Sequence, residues 1–180
     1  MGIVNRFVDT VRTLAFLLSL AGGVILVFSM LAVLADVATR TLFGMTGGAI
    51  DLTFRGSYEI VRYGLLLSMI YALPFALKDG QVIVDLFTDK LSEANKQRLA
   101  GLYVFFFGVF GFVLSKGLWE SIQRVQMTGE TSQDFGIPMA YFYGAALVGA
   151  VMLGVRGMTV TWEYFTGRGN TPHGPEENRL

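Results

Sequence analysis

Four stretches of the chain are dominated by apolar residues, separated by short polar segments. The first runs from Thr13 to Ala35, between Arg12 and Asp36. The second is uninterrupted from Tyr63 to Leu77 and reaches back to Gly56 once Glu59 and Arg62 are admitted. The third runs from Leu99 to Ser115, and on to Trp119 if Lys116 snorkels toward the surface. The fourth runs from Phe135 to Val155 and, past Arg156, to Trp162. A membrane-crossing helix needs about 20 mostly apolar residues. The pattern therefore predicts an all-α membrane protein: one four-helix domain over 1–166, with spans at about 13–35, 56–77, 99–119 and 136–160. Core helices of a soluble protein are the competing reading, but spans one, three and four lack the polar stripe that a water-facing helix carries. The apolar run after Arg6 and Arg12 exceeds the roughly 7–15 residues of a signal h-region. Ala32 and Ala35 do not have A-x-A spacing, so the run reads as a retained first helix.

The connections carry their own patterns. Gly44, Gly47 and Gly48 precede Ala49-Ile50-Asp51-Leu52-Thr53-Phe54, which predicts a short helix lying in the membrane interface. In the loop after Leu77, Val82, Ile83, Leu86, Phe87 and Leu91 are apolar, and Asp85 and Asp89 share a face. That predicts an amphipathic surface helix or a strip that docks on a partner. Ser92 suits an N-cap and Glu93 the first turn of a helix leading through Lys96 and Arg98 into span three. Pro138 suits the first turn of span four. Small residues at Ser19/Gly23, Ala145/Gly149 and Ala150/Gly154 have the spacing that lets helices approach closely. The tail, 167–180, is rich in Gly, Pro and charge, a flexible composition.

Composition agrees with the spans. Of 180 residues, 53% are hydrophobic and 16% charged, too few charges to cover a soluble globule, which carries about a quarter. The formal net charge is zero, so no basic footprint for nucleic acid exists. There is no Cys, which excludes disulfides, thiol nucleophiles and thiolate metal sites. The one His, His173, lies in the tail, which excludes bis-histidine haem and multi-histidine zinc sites. No cofactor is expected.

Charge asymmetry predicts orientation. Arg6, Arg12, Lys78, Lys90, Lys96, Arg98, Arg156, Arg168 and Arg179 fall on one side, and Arg40, Arg55, Lys116 and Arg124 on the other. The positive-inside rule puts both termini in the cytoplasm. Trp119, Tyr141, Tyr143, Trp162 and Tyr164 lie near span ends, as interfacial aromatics do.

Three acid–arginine pairs sit at helical spacing: Asp36/Arg40, Glu59/Arg62 and Glu120/Arg124. All lie toward the outer ends of spans one, two and three. Glu59 and Arg62 are deepest: at 1.5 Å per residue from Gly56, Arg62 is roughly 9 Å inside. Ionisable groups in a span face protein or water and pair up. Three roles stay open for them: mutual neutralisation near a water boundary, bonds to a partner subunit, or a proton or substrate relay. A transporter acting alone is expected to show a charge or broken helix near mid-membrane, and spans one, three and four show none.

In order and spacing, these features resemble the small membrane subunit of the tripartite ATP-independent periplasmic (TRAP) transporters, the DctQ-like family. Span one ends in Asp36-Val37-Ala38-Thr39-Arg40, similar to that family's arginine after its first helix. Tyr58-Glu59-Ile60-Val61-Arg62-Tyr63 resembles its Glu-Leu-x-Arg-Tyr stretch. The segment from Ala76 through Lys78, Gly80, Gln81 and Ile83 to Asp85 resembles its basic, x-Gly-His-Ile-x-Val-Asp segment, with Gln81 in place of His. Gly129 through Ile137-Pro138 and Tyr141 resembles the start of its fourth helix. The resemblance covers about residues 12–160. It implies a non-catalytic scaffold in the bacterial inner membrane, surrounded by lipid. Its implied partners are a large M-type membrane subunit carrying substrate and sodium sites, and a P-type periplasmic binding protein that delivers an organic anion such as a carboxylate, sialic acid or sulfonate. On that view Asp36, Arg40, Glu59, Arg62, Gly80, Asp85, Glu120 and Arg124 are structural or subunit-interface residues. A self-contained small transporter or channel using Glu59 and Arg62 is the alternative. A membrane enzyme fits worst, since no zinc-protease His pair, Ser/His couple or cluster of intramembrane acids is present.

Overall fold

The computed structural model describes residues 2–52, 56–77 and 93–166. They form four helices: α1 (Gly2–Met45), α2 (Ser57–Ala76), α3 (Glu93–Thr128) and α4 (Met139–Phe165). Each is long and apolar enough to cross a membrane. Successive helices run antiparallel. One end of the bundle therefore carries both connectors, 46–56 and 129–138, and the other carries Gly2 and Phe165. These are called the connector end and the terminal end below.

α2 matches a bilayer: 20 residues rise about 30 Å. α1 and α3, at 44 and 36 residues, rise about 66 and 54 Å and outrun any hydrocarbon layer. Their apolar centres had set the estimates of 13–35 and 99–119. Their polar ends continue the helix because no Pro or turn sequence interrupts it. α3 starts at Glu93, as its cap signal predicts.

α1 stops at a glycine-built cap. Gly47 takes φ +58, its N–H donates to Gly44 O (3.4 Å), and the Gly48 N–H donates to Phe43 O (3.0 Å). That is a Schellman arrangement, which satisfies carbonyls the helix end would leave open. It also corrects the expected interfacial helix: Ala49–Leu52 follow this turn without helical structure, and 53–55 lie outside the described residues. The amphipathic strip 82–91, with Gly80 and Asp85, lies outside them too, as does the tail from 167.

α4 is the hub. It packs most extensively on α3, then on α2 and, more narrowly, on α1; α1 and α2 also form a long mutual seam. Among the described helices α3 meets only α4. The α1 seam is Val11, Ala15, Gly22 and Ser29, buried at steps of four, seven and seven residues that keep to one helix face, and the rest of α1 exposes Leu, Val and Phe. A bilayer does not drive apolar helices together, so close backbone packing must do so. Gly108 and Gly157 face each other so closely that a Cβ on either would meet the other's backbone; one turn on, a Cβ on Gly111 would meet the Gly154 backbone, and one on Gly154 the Phe112 ring. The sequence pairs were half the story. Gly149 and Gly154 sit in interfaces, but Gly23 faces open space and its neighbour Gly22 packs on Ser68 and Tyr71. Tyr164, expected at the interface, is instead buried with Ala100, Val104 and Val160. Trp119, Tyr141 and Trp162 are exposed.

Candidate functional site at the connector end

The α3–α4 connector is folded upon itself. Gly129 and Gly136 take φ +67 and +65 and turn the chain. Thr131 and Pro138 form an antiparallel bridge, with Ser132 N–H donating to Ile137 O (2.8 Å) and Met139 N–H to Glu130 O (3.1 Å). Pro138 thus caps α4 from just outside, while Met139 opens it.

Glu59, in the first turn of α2, is 5% exposed and holds this connector. Its carboxylate accepts the Asp134 N–H at 2.9 Å and the Phe135 N–H at 3.4 Å. The Ser132 hydroxyl and the Gln133 N–H also donate to it. Consecutive amides converging on one anion form a nest, and hydrogen bonds to an ionised group are the stronger kind. The buried charge is thus satisfied by the backbone of another segment, across 75 residues of sequence. Phe135 seals the contact. Its ring lies against Gly56, where a Cβ would stand 2.5 Å from Cζ. Gly56 also needs its φ of +105 to start α2, so two independent constraints demand glycine there.

Arg62, the sequence partner of Glu59, is exposed, and its guanidinium lies 5.6 Å from the Tyr63 ring centre. The two do not form an ion pair, because Glu59 turns to the connector. Asp36 and Arg40 do pair, at 2.9 Å, while the second Asp36 oxygen is buried without a hydrogen bond. Glu120 pairs with Lys116 at 3.8 Å, on an exposed surface, in place of Arg124. The structure therefore does not gather these charges into one site.

Beneath Glu59 an apolar groove of about 290 Å³ opens between α2 and α4, lined by Ile60, Gly64, Leu67, Phe135 and Ile137. Tyr63 and Phe142 wall it, their rings stacked 4.2 Å apart, and the Tyr63 hydroxyl reaches Met139 Sδ at 3.3 Å. Lower down, the Tyr71 hydroxyl donates to Ala145 O at 3.0 Å, a second polar tie between α2 and α4. Among the described residues no three His, Asp or Glu side chains come together as a metal-binding group. What this end offers is a rigid, polar-locked platform above an apolar groove.

Tyr71 and Arg156 are the structural polar residues that the sequence did not mark. Tyr71 looked like any aromatic in a span. Arg156 was counted as a terminal positive charge, yet it is 3% exposed inside the bundle. An apolar neighbourhood at helical spacing on α1 and α4 was the signal available for it.

Four apolar helices, each long enough to cross a bilayer, with the buried Glu59 carboxylate bonded to backbone, define a multi-pass membrane protein. Residues 29–167 match the family model described as "Tripartite ATP-independent periplasmic transporters, DctQ component". The match spans most of the chain, which belongs to that family and is a component of such a transporter. A search of curated proteins and a search of solved structures gave no match.

Proposed function

We propose that this chain is the small, non-catalytic scaffold subunit of a sodium-coupled importer of organic anions, seated in the inner membrane with both termini in the cytoplasm. Its partners are a large membrane subunit, which carries substrate and ions, and a periplasmic protein that delivers the substrate. The family match over residues 29–167 carries this reading. The disposition of charge supports it. Glu59, buried at the connector end, is committed to hydrogen bonds with the Asp134 and Phe135 amides and is not free to carry a proton or ion.

Reconstitution tests it. The isolated chain in liposomes should take up no carboxylate, sialic acid or sulfonate under a sodium or proton gradient. Expressed with its large partner, it should co-purify with a protein of many more spans. Uptake by the isolated chain would sink the scaffold reading in favour of a self-contained transporter.

A further inference from the structure

The terminal end of the bundle is built on a different electrostatic problem. α1 crosses α4 there, with Val11 and Ala15 buried on α1. Arg156 of α4 is 3% exposed, with Nη1 closed to solvent and lacking a hydrogen-bond partner. Two charges act on it: Glu163 of α4 attracts and Arg12 of α1 repels. Two guanidinium groups thus face one carboxylate. A buried charge is costly unless well paired, and among the described residues these three groups carry a surplus of one positive unit. Arg12 itself is exposed and gives the cluster its way out to the surface. On the same stretch of α1, Arg6 and Asp9 are exposed and offset each other in formal charge.

Depth places the cluster. Arg156 lies about 26 Å along α4 from Met139, close to the ~30 Å thickness of the hydrocarbon layer. Trp162 and Phe165 are exposed just beyond it, the belt position for aromatics.

We propose that Arg12 and Arg156 form a binding site for the phosphate of an anionic phospholipid headgroup, in the leaflet at the terminal end. Arginine's planar fork matches phosphate oxygens, and basic pockets between membrane helices are known sites for such headgroups. One phosphodiester charge balances the surplus, whereas a choline or ethanolamine headgroup would bring a further cation beside Arg6. Arg12 makes the direct contact from the lipid side. Arg156, buried in the bundle, supplies the field that draws the phosphate in. The site requires only that the four helices span a bilayer, so it stands or falls independently of the transport role.

The test uses the full chain in nonionic detergent, with phosphatidylglycerol, phosphatidylcholine or inorganic phosphate added at matched concentration. Native mass spectrometry reads retained lipid and thermal unfolding reads stabilisation. Phosphatidylglycerol should be retained by, and raise the unfolding midpoint of, the wild type and the distant control Arg124→Gln. Arg12→Gln, a surface change that leaves folding intact, should bind it roughly tenfold more weakly, the loss of one charge-assisted contact. Arg156→Lys, which keeps the buried charge and so the field, should retain the lipid much as the wild type does. Equal retention by Arg12→Gln and wild type would overturn the proposal. So would equal responses to phosphatidylcholine and phosphatidylglycerol, or stabilisation by inorganic phosphate alone, which would mark a free-anion site.

Discussion

Glu59 shows how far a residue's role depends on what folds over it. In the sequence it stands three positions before Arg62 and reads as half of an ion pair. In the folded chain its carboxylate gathers amides from 133–135, and Arg62 is left exposed beside Tyr63. Glu59→Ala should therefore free the connector: amide exchange at Asp134 and Phe135 should accelerate while α2 and α4 stay protected. Arg62→Ala should leave those two amides unchanged, which an internal Glu59–Arg62 pair would not allow. Gly56→Ala meets both a positive φ and the Phe135 ring. It should cost about 1–3 kcal/mol, the range of a strained backbone position or an overpacked contact. A lowered unfolding midpoint in detergent is the readout. Neither outcome was legible beforehand, since a residue 75 positions away supplies Glu59's partners.

Among elements, helix existence was legible and helix ends were not. Hydrophobic runs located all four helices because a bilayer leaves few alternatives to helix for a spanning segment. The runs could not show that α1 and α3 continue well past their apolar centres, because extension of a helix through polar residues is decided by capping and by neighbours. Nor did spacing alone select the packing faces. Gly22 and Gly23 are both glycine, and only Gly22 meets α2. Gly157→Leu should force α3 and α4 apart and destabilise by about 1–3 kcal/mol, while Gly23→Leu, facing open space, should leave the unfolding midpoint close to wild type. Tyr71→Phe removes the bond to Ala145 O and should cost about 0.6 kcal/mol, the average for such bonds inside membranes.

For the whole molecule, the arrangement is a hub with unequal spokes. α4 is enclosed by the other three helices, while α1 and α3 present long apolar surfaces. Such a shape suits a subunit that lives among lipid and larger neighbours. The chain has no native Cys, so its orientation can be read with single-cysteine variants. With the termini in the cytoplasm, Gln133→Cys should react with a membrane-impermeant maleimide in intact cells, and Asn5→Cys only after permeabilisation. The reverse pattern would invert the proposed topology. The sequence by itself determined the four candidate spans among the described residues, their membrane character and the family, because apolar length, charge scarcity and short motifs are local properties. The tertiary structure decided which charges pair, which glycines face a neighbour, and that Arg156 is enclosed. Those facts depend on atoms brought together from distant parts of the chain, and no local pattern records them.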